Sequence, residues 1–202
     1  MTIRRREDWG APGEIPGDLA EGGSDAEAAR CLETSAGCVL VGGDMFRTLG
    51  GVPGTAGRLG TRFVVDLLEV AIDGRESRIA LASVVVRRAW PTGGWWTGGI
   101  TMAMNAEYLD GRDVAPRGHP NDGRFEMLTV DASMRPRERW RARRRAIDGT
   151  HLPHPLISVM ATARATLGPG VLLLDGRRVG AVRSVDVSVR PDAAEVWIRR
   201  PD

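Results

Sequence analysis

Residues 181–199, AVRSVDVSVRPDAAEVWIR, carry the pattern that decides the fold class. Val182, Val185, Val187 and Val189 are apolar, and charged residues stand among them. Side chains two positions apart lie on the same face of a β-strand, so this alternation predicts a strand that is half-buried, with its charges outward.

Several other apolar segments lie upstream of this strand, separated by turns rich in Gly, Asp and Pro. They occupy residues 62–74, 76–89, 99–109, 123–132, 154–167 and 170–180. The segment IDGRES, at residues 72–77, has the residue types of a hairpin turn between the first two. Many short strands with such turns predict a mainly-β domain that is sandwich-like or barrel-like.

The N-terminal part of the chain has a different character. Residues 1–24 show little periodicity and are interpreted as an arm, and a helix is predicted from the N-cap Ser24 to Gly37. A short strand and one or two helical turns closing at Gly50 follow, which makes a small α/β remnant. We therefore expect an arm with a short helix over residues 1–35 and a β domain over residues 36–202.

Composition and charge narrow the classes of protein. The 202 residues carry 28 basic side chains, all of them arginine, and a net charge of +2. Without lysine, Schiff-base chemistry and a Walker A phosphate loop are excluded. The sequence has no apolar run near the ~20 residues of a membrane span and no secretory signal pattern, and its two cysteines form no framework, so we expect a cytoplasmic protein.

Four motifs, in this order, resemble the C-terminal half of the bacterial diacylglycerol-kinase-like lipid kinases, relatives of sphingosine kinases and more distantly of NAD kinase. The motifs are AMNAEYLDGRDVAP (103–116), HPNDGRFEMLTV (119–130), GTHLPHPLI (149–157) and LLLDGRRVG (172–180). The resemblance covers about half of the chain and implies the fold of that family's second, β domain. His151 and His154 lie in the third motif, where the family's histidine is structural.

A fifth stretch, GGDMFRTLG (42–50), resembles the end of the family motif Gly-Thr-Xaa-Asn-Asp-Phe-Ala-Arg-Xaa-Leu-Gly, with Gly43 and Asp44 in place of Asn-Asp. The alternative alignment, to the nucleotide-binding Gly-Gly-Asp-Gly-Thr, would put Met45 and Phe46 in place of Gly-Thr. Only about forty residues precede this stretch, room for one βα unit of ~30 residues. The resemblance therefore implies that the nucleotide-binding domain is largely missing and that Gly43 and Asp44 are the only candidate contacts to ATP. We do not expect the chain alone to bind ATP.

The resemblance also implies a structural Mg²⁺ at the turn around Asp122. The ligands would be the Asp122 carboxylate and the main-chain carbonyls of His119 and Arg124, a donor set that suits Mg²⁺ when water completes the shell. The alternative is a capped turn without metal, for which Asn121, Asp122 and Gly123 are equally suitable.

The family's presumed general base is a Glu in the LLLDGRRVG hairpin, and Arg177 stands at that position here. A guanidinium stays protonated at physiological pH and cannot accept the proton of a lipid hydroxyl. Asp175 is the candidate that could replace it as a catalytic residue, although an Asp before a hairpin Gly more often serves the turn. We therefore predict that the base is lost.

The stretch MRPRERWRARRRA (134–146) contains seven arginines. As a helix it would carry Arg137, Arg141 and Arg144 on one face and Trp140 on another. This surface and the tryptophans of residues 90–96 suit an anionic membrane, and the alternatives are a solvated face or, less favoured, nucleic acid.

These observations lead to one leading function and two alternatives. The leading hypothesis is a non-catalytic relative of the lipid kinases that binds a lipid-like ligand or a partner protein, either another chain or a second copy. It would be located in the cytoplasm or peripherally at the inner face of the membrane. The first alternative is a lipid kinase whose nucleotide domain is supplied by another chain, and the weaker one is a basic module for nucleic acid.

Overall fold

The computed structural model describes residues 9–88 and 94–200, in which strands are far more abundant than helices. The strands are β1 (Ala11–Glu14), β2 (Glu21–Gly22), β3 (Gly37–Leu40), β4 (Leu59–Ile72), β5 (Glu76–Ala80), β6 (Ser83–Arg87), β7 (Ile100–Met104), β8 (Tyr108–Leu109), β9 (Arg112–Asp113), β10 (Phe125–Val130), β11 (Ile157–Thr162), β12 (Arg164–Leu167), β13 (Gly170–Leu174), β14 (Arg177–Val182) and β15 (Val185–Arg199). The helices are α1 (Asp25–Thr34), α2 (Asp44–Thr48) and α3 (Pro136–Arg145), and a 3-10 turn follows α3 at Ala146–Asp148.

The first sheet is built around the two longest strands, β4 and β15. Its order is β1-β4-β15-β3-β2, and β5 and β12 pair with β4 and β15 off this path. β15 runs antiparallel to β4 and parallel to β3, and β2 also runs parallel to β3. The short strands β1 and β2 lie within residues 1–24, the segment interpreted as an arm from the sequence. The domain boundary expected between residues 35 and 36 stays a prediction.

The second sheet is antiparallel, with the order β11-β10-β7-β6-β13-β14. Buried side chains from both sheets form one apolar cluster between them, including Val70 and Val187 from the first sheet and Val84, Phe125 and Leu172 from the second. Burial of these side chains on both inner faces stabilises the two-layer arrangement. The predicted mainly-β, sandwich-like fold is confirmed.

The helices and the first hairpin follow local signals in the sequence. The Ser24 hydroxyl accepts a hydrogen bond from the Glu27 N–H at the start of α1, as an N-cap should. The helix ends earlier than predicted, because Ser35 is already extended and Gly37 begins β3. Asp73 and Gly74 both have positive φ, so IDGRES forms the predicted hairpin turn.

Candidate ligand-binding site

Asp175 holds the tip of the β13–β14 hairpin against the preceding sheet segment. Its Oδ1 accepts hydrogen bonds from the N–H groups of Ala82 (2.8 Å) and Ser83 (2.9 Å), and its Oδ2 accepts one from Leu81 (2.9 Å). Burial raises the pKa of this carboxyl, and these three N–H groups oppose the rise. Asp175 therefore has a structural role in the chain, and a catalytic role for it stays a prediction.

Asp25, a residue that the sequence did not single out, caps α2 from outside that helix. Its carboxylate accepts hydrogen bonds from the N–H groups of Asp44 (2.6 Å) and Met45 (3.0 Å). Burial, then the nearby charge of Asp175, raises the pKa of Asp25 to about 7. The signal available in the sequence was a carboxylate at the first position of a predicted helix, which usually serves that same helix.

Asp44 joins α2 to the β8–β9 turn. Its carboxylate accepts hydrogen bonds from the N–H groups of Asp110 (2.8 Å) and Gly111 (2.9 Å). The residue before Asp44 has to be a glycine. The φ of Gly43 is +104°, and a Cβ added to Gly43 would lie 2.5 Å from Oδ1 of Asp25. Gly43 and Asp44 thus have clear structural roles, and their contact with a nucleotide stays a prediction.

A cavity of about 450 Å³ lies between the second sheet and α3. Most of its wall is apolar, and the apolar lining includes Ile100, Met102, Val114, Leu128, Val130, Met134, Ala142, Ala146, Ile157 and Leu173. The polar lining consists of Asp44, Asp110, Arg112, Arg139, Arg143, His151 and Asp175. Asp110 forms ion pairs with Arg112 (2.8 Å) and Arg143 (2.9 Å). Such a cavity suits a ligand that is mainly apolar with a few polar atoms.

His151 is a buried polar residue in the wall of this cavity. Its side chain is 5% exposed, and neither ring nitrogen has a hydrogen-bond partner of normal geometry among the described residues. Burial lowers the pKa of His151, so the ring is neutral at pH 7. A neutral imidazole can both donate and accept a hydrogen bond. The ring is therefore suited to a hydroxyl or ester group of a ligand.

Arg139 has a structural function in spite of its place in the arginine stretch. This side chain is buried, and its guanidinium donates to the carbonyls of Met134, Gly98 and Asp131. It thereby attaches α3 to the segment that contains Trp95. The prediction that this stretch is helical is confirmed, and Arg137, Arg141 and Arg144 are exposed.

The loop around Asp122 is fixed by buried polar groups beneath it. The Asp66 carboxylate accepts hydrogen bonds from the N–H groups of Gly123 (2.8 Å) and Asp192 (2.9 Å), and Asn121 donates to the Val64 carbonyl. Asp66 was missed in the sequence, although a lone Asp within the apolar segment 62–74 is a signal for such a buried anchor.

The predicted Mg²⁺ ligands fit a cation only in part. Burial raises the pKa of Asp122, and the nearby positive charges of His119 and Arg124 oppose the rise. Oδ1 of Asp122 already accepts a hydrogen bond from the Arg124 N–H (2.9 Å). Among the described residues, no three side chains of His, Cys, Asp or Glu converge as metal ligands. The structural Mg²⁺ at His119, Asp122 and Arg124 stays a prediction, which melting curves with Mg²⁺ and with a chelator would test.

Arg177 lies at the start of β14 with its side chain exposed, directly after the turn that contains Asp175. Trp95 is half-buried beneath the Arg87 guanidinium, Trp96 is exposed, and Trp90 lies outside the described residues. Among the helices in the described part of the chain, none is both long enough and apolar enough to cross a membrane.

Comparison with known proteins supports the fold. No family model matches the sequence, and no curated protein matches it either. Two similar structures come from Bacillus anthracis str. Sterne, each solved under the name "putative diacylglycerol kinase". The first has a TM-score of 0.63 and 12% sequence identity, and the match covers 90% of this chain and 76% of that chain. The second has a TM-score of 0.64 and 13% sequence identity, and the match covers 91% of this chain and 78% of that chain. A third, named as a diacylglycerol kinase of the same organism, has a TM-score of 0.58 at 13% identity over 91% of this chain and 76% of that chain. The resemblance read from the sequence motifs is thus confirmed at the level of the fold, which this chain shares with diacylglycerol-kinase-like proteins.

Proposed function

We propose that the chain is a non-catalytic protein that binds one lipid-like molecule in the cavity between the second sheet and α3. The observation that carries the proposal is the cavity itself, with its apolar wall and its separate polar groups. An acyl chain would contact side chains such as Met102, Leu128 and Ile157, which line the cavity. The polar part of the ligand would meet His151, whose ring nitrogens have no hydrogen bond of normal geometry among the described residues, although the Val114 backbone lies near the ring.

The absence of catalysis in this proposal rests on the chemistry of the hairpin. Arg177 cannot accept a proton, and the carboxylate of Asp175 is already engaged by three N–H groups. Phosphoryl transfer needs a positioned phosphate donor and an oriented hydroxyl. The lipid would therefore be held rather than phosphorylated.

A cavity-filling substitution tests the binding. We expect Ile157→Trp to weaken the binding of dioctanoylglycerol at least about tenfold, because the larger ring occupies space that the acyl chain would use. The control is Met160→Trp on the same strand, where the side chain is 60% exposed. Isothermal titration with both folded variants gives the comparison, and equal binding by the two would contradict the cavity as the site.

The wild-type chain with bound dioctanoylglycerol also tests the alternative that the chain is a lipid kinase. With ATP and Mg²⁺ added to the lipid-bound chain, we expect no phosphorylated lipid. Mg²⁺-dependent phosphorylation of the lipid by the wild-type chain would show that the chain is an enzyme.

A peripheral location at an anionic membrane is the second part of the proposal. α3 lines the cavity with Arg139, Ala142 and Arg143, while Trp140 and the nearby Ile147 are 49% and 60% exposed. The exposed arginines of α3 suit anionic lipid headgroups, and the exposed ring of Trp140 suits the interface between membrane and water.

We expect the triple variant Arg137→Gln, Arg141→Gln, Arg144→Gln to lose most co-sedimentation with phosphatidylglycerol vesicles at low salt. Each arginine near such a surface contributes about 1 kcal/mol, so three contribute about a hundredfold in affinity. The matched control changes three exposed arginines elsewhere, Arg58, Arg75 and Arg190, to Gln. If the α3 triple variant and the control variant sediment alike, the exposed side of α3 is only a solvated face. If the chain instead binds duplex DNA and shows no preference for vesicles, a nucleic-acid partner is favoured.

A further inference from the structure

A second cleft, of about 210 Å³, lies between α1 and the β13–β14 hairpin. One face of α1 contributes Ala26, Ala29, Arg30 and Glu33, β5 contributes Arg78 and Ile79, and the hairpin contributes Leu174, Asp175, Arg177, Arg178 and Val179. Four guanidinium groups thus line one small cleft. Asp175 lines both this cleft and the lipid cavity, so the two are neighbours across the hairpin tip.

Within the described part of the chain, three of these four arginines have no carboxylate as an ion-pair partner. Arg78 forms an ion pair with Glu76 at 2.6 Å. Across residues 9–88 and 94–200, no carboxylate lies within ion-pair distance of Arg30, Arg177 or Arg178. Like charges gathered in one cleft repel each other and raise the local concentration of anions. Glu33 and Asp175 also line the cleft, but its four guanidinium groups outnumber these two carboxyl groups, and this excess of positive charge favours a ligand that brings negative charge.

The backbone on both sides of the cleft is fixed. Asp175 attaches the hairpin tip through three hydrogen bonds, so Arg177 and Arg178 begin from a rigid base. The two alanines of α1 leave room beside the helix. On that helix the Nε of Arg30 donates to the Ala26 carbonyl at 3.2 Å, which orients this side chain. The Arg30 guanidinium is held in this way, whereas the side chains of Arg177 and Arg178 are exposed at the cleft. Guanidinium groups suit the geometry of phosphate oxygens, to which they can bind in pairs.

We propose that this cleft binds a phosphate group, and that Arg30, Arg177 and Arg178 hold it without a metal ion. The phosphate belongs either to a small water-soluble molecule or to a lipid headgroup, because both present the same oxygens. The volume suits one or two phosphates with a small attached group. The proposal is independent of lipid binding in the larger cavity.

The test uses the full chain in a chelating buffer, with inorganic pyrophosphate and monomeric dioctanoyl phosphatidic acid as two separate probes. We expect at least one probe to bind, and Arg177→Gln combined with Arg178→Gln to weaken that binding at least about tenfold, since charge-assisted hydrogen bonds are lost. The control is Arg58→Gln combined with Arg190→Gln, which makes the same change of charge at exposed positions that do not line the cleft and should leave the affinity unchanged.

The pattern of binding identifies the source of the phosphate. Binding of pyrophosphate indicates a soluble ligand, and binding of phosphatidic acid alone indicates a lipid headgroup. If neither probe binds, or if the two double variants bind equally well, the arginines form an ordinary solvated surface and the proposal fails. Isothermal titration supplies the affinities, and circular dichroism verifies that each variant is folded. Loss of dioctanoylglycerol binding in Ile157→Trp with intact pyrophosphate binding would separate this cleft from the lipid cavity.

Discussion

Replacing Asp175 by Asn is expected to lower the free energy of unfolding by about 3 kcal/mol, one of the largest effects of any single substitution in this chain. The carboxylate accepts from Leu81, Ala82 and Ser83, and an amide can present only one oxygen to these three N–H groups. At least one N–H would then face the NH₂ group of the new side chain. An unsatisfied buried donor costs about 1–3 kcal/mol, and the loss of charge weakens the bonds that remain.

Urea denaturation at pH 7.5 measures this effect. The control is Asp148→Asn at the exposed end of the 3-10 turn after α3, where we expect a change within about 0.5 kcal/mol. If both variants unfold at the same urea concentration, the three hydrogen bonds contribute no net stability. Asp175 would then be needed only for the conformation of its turn, in which its φ is +47°.

Local features of the fold could be predicted from the sequence. α1 begins after a Ser that caps it, α3 begins with Pro136 at its first position, and the β4–β5 hairpin has Asp73 and Gly74 at its turn. Each of these signals acts through residues that are neighbours along the chain, so a short window of sequence contains the physical cause. The alternation of Val185, Val187 and Val189 likewise predicted β15, the centre of the first sheet. Val182 was wrongly included in that strand, because it is the last residue of β14 and stands three positions before Val185.

Non-local features could not be predicted in this way. The apolar segment 154–167 divides at Ala163, and its halves pair with different sheets, β11 with β10 and β12 with β15. A period of two is the same on either sheet, so the sequence does not reveal the change of partner.

The candidate site depends on such distant contacts. Asp25 and Asp44 are joined across 19 residues, and Asp175 meets Leu81 across 94. The motifs identified Asp44 and Asp175 as residues of interest, but the structure shows what each carboxylate binds within the chain. The cavity is a space between a sheet and a helix, and no short stretch of sequence encodes its presence.

Asp25 is expected to make the stability of the chain depend on pH between about 4 and 7. The pKa of Asp25 is near its ordinary value of 3.8 in the unfolded chain and rises to about 7 in the folded one, because the carboxyl is buried and lies near the charge of Asp175. Between these values the folded state binds a proton that the unfolded state has released. Stability is therefore greatest below pH 4, decreases as the pH rises towards 7, and is constant above that with respect to this group.

The size of the effect follows from the shift of about three pKa units, which corresponds to about 4 kcal/mol at ~1.36 kcal/mol per unit. Asp66, Asp113, Asp122 and Asp175 also have raised pKa values and add to the same trend. His151, whose pKa is lowered, opposes the trend, whereas the lowered pKa values of Asp73, Asp131 and Asp192 change stability only below about pH 4. The wild type alone thus reports a sum. The difference between the wild type and Asp25→Asn isolates Asp25 and its coupling to Asp44 and Asp175.

Urea denaturation of both proteins at half-unit steps from pH 4 to pH 8 gives the two stability curves. We expect the wild type to lose more stability across this range than Asp25→Asn, because the variant has no proton to release at that position. The variant also exchanges one of the two hydrogen bonds to α2 for an unfavourable contact, which shifts its whole curve without adding a slope. Parallel curves would mean that Asp25 titrates alike in the folded and unfolded chain, and that its carboxylate is ionised and fully stabilised by the N–H groups of Asp44 and Met45.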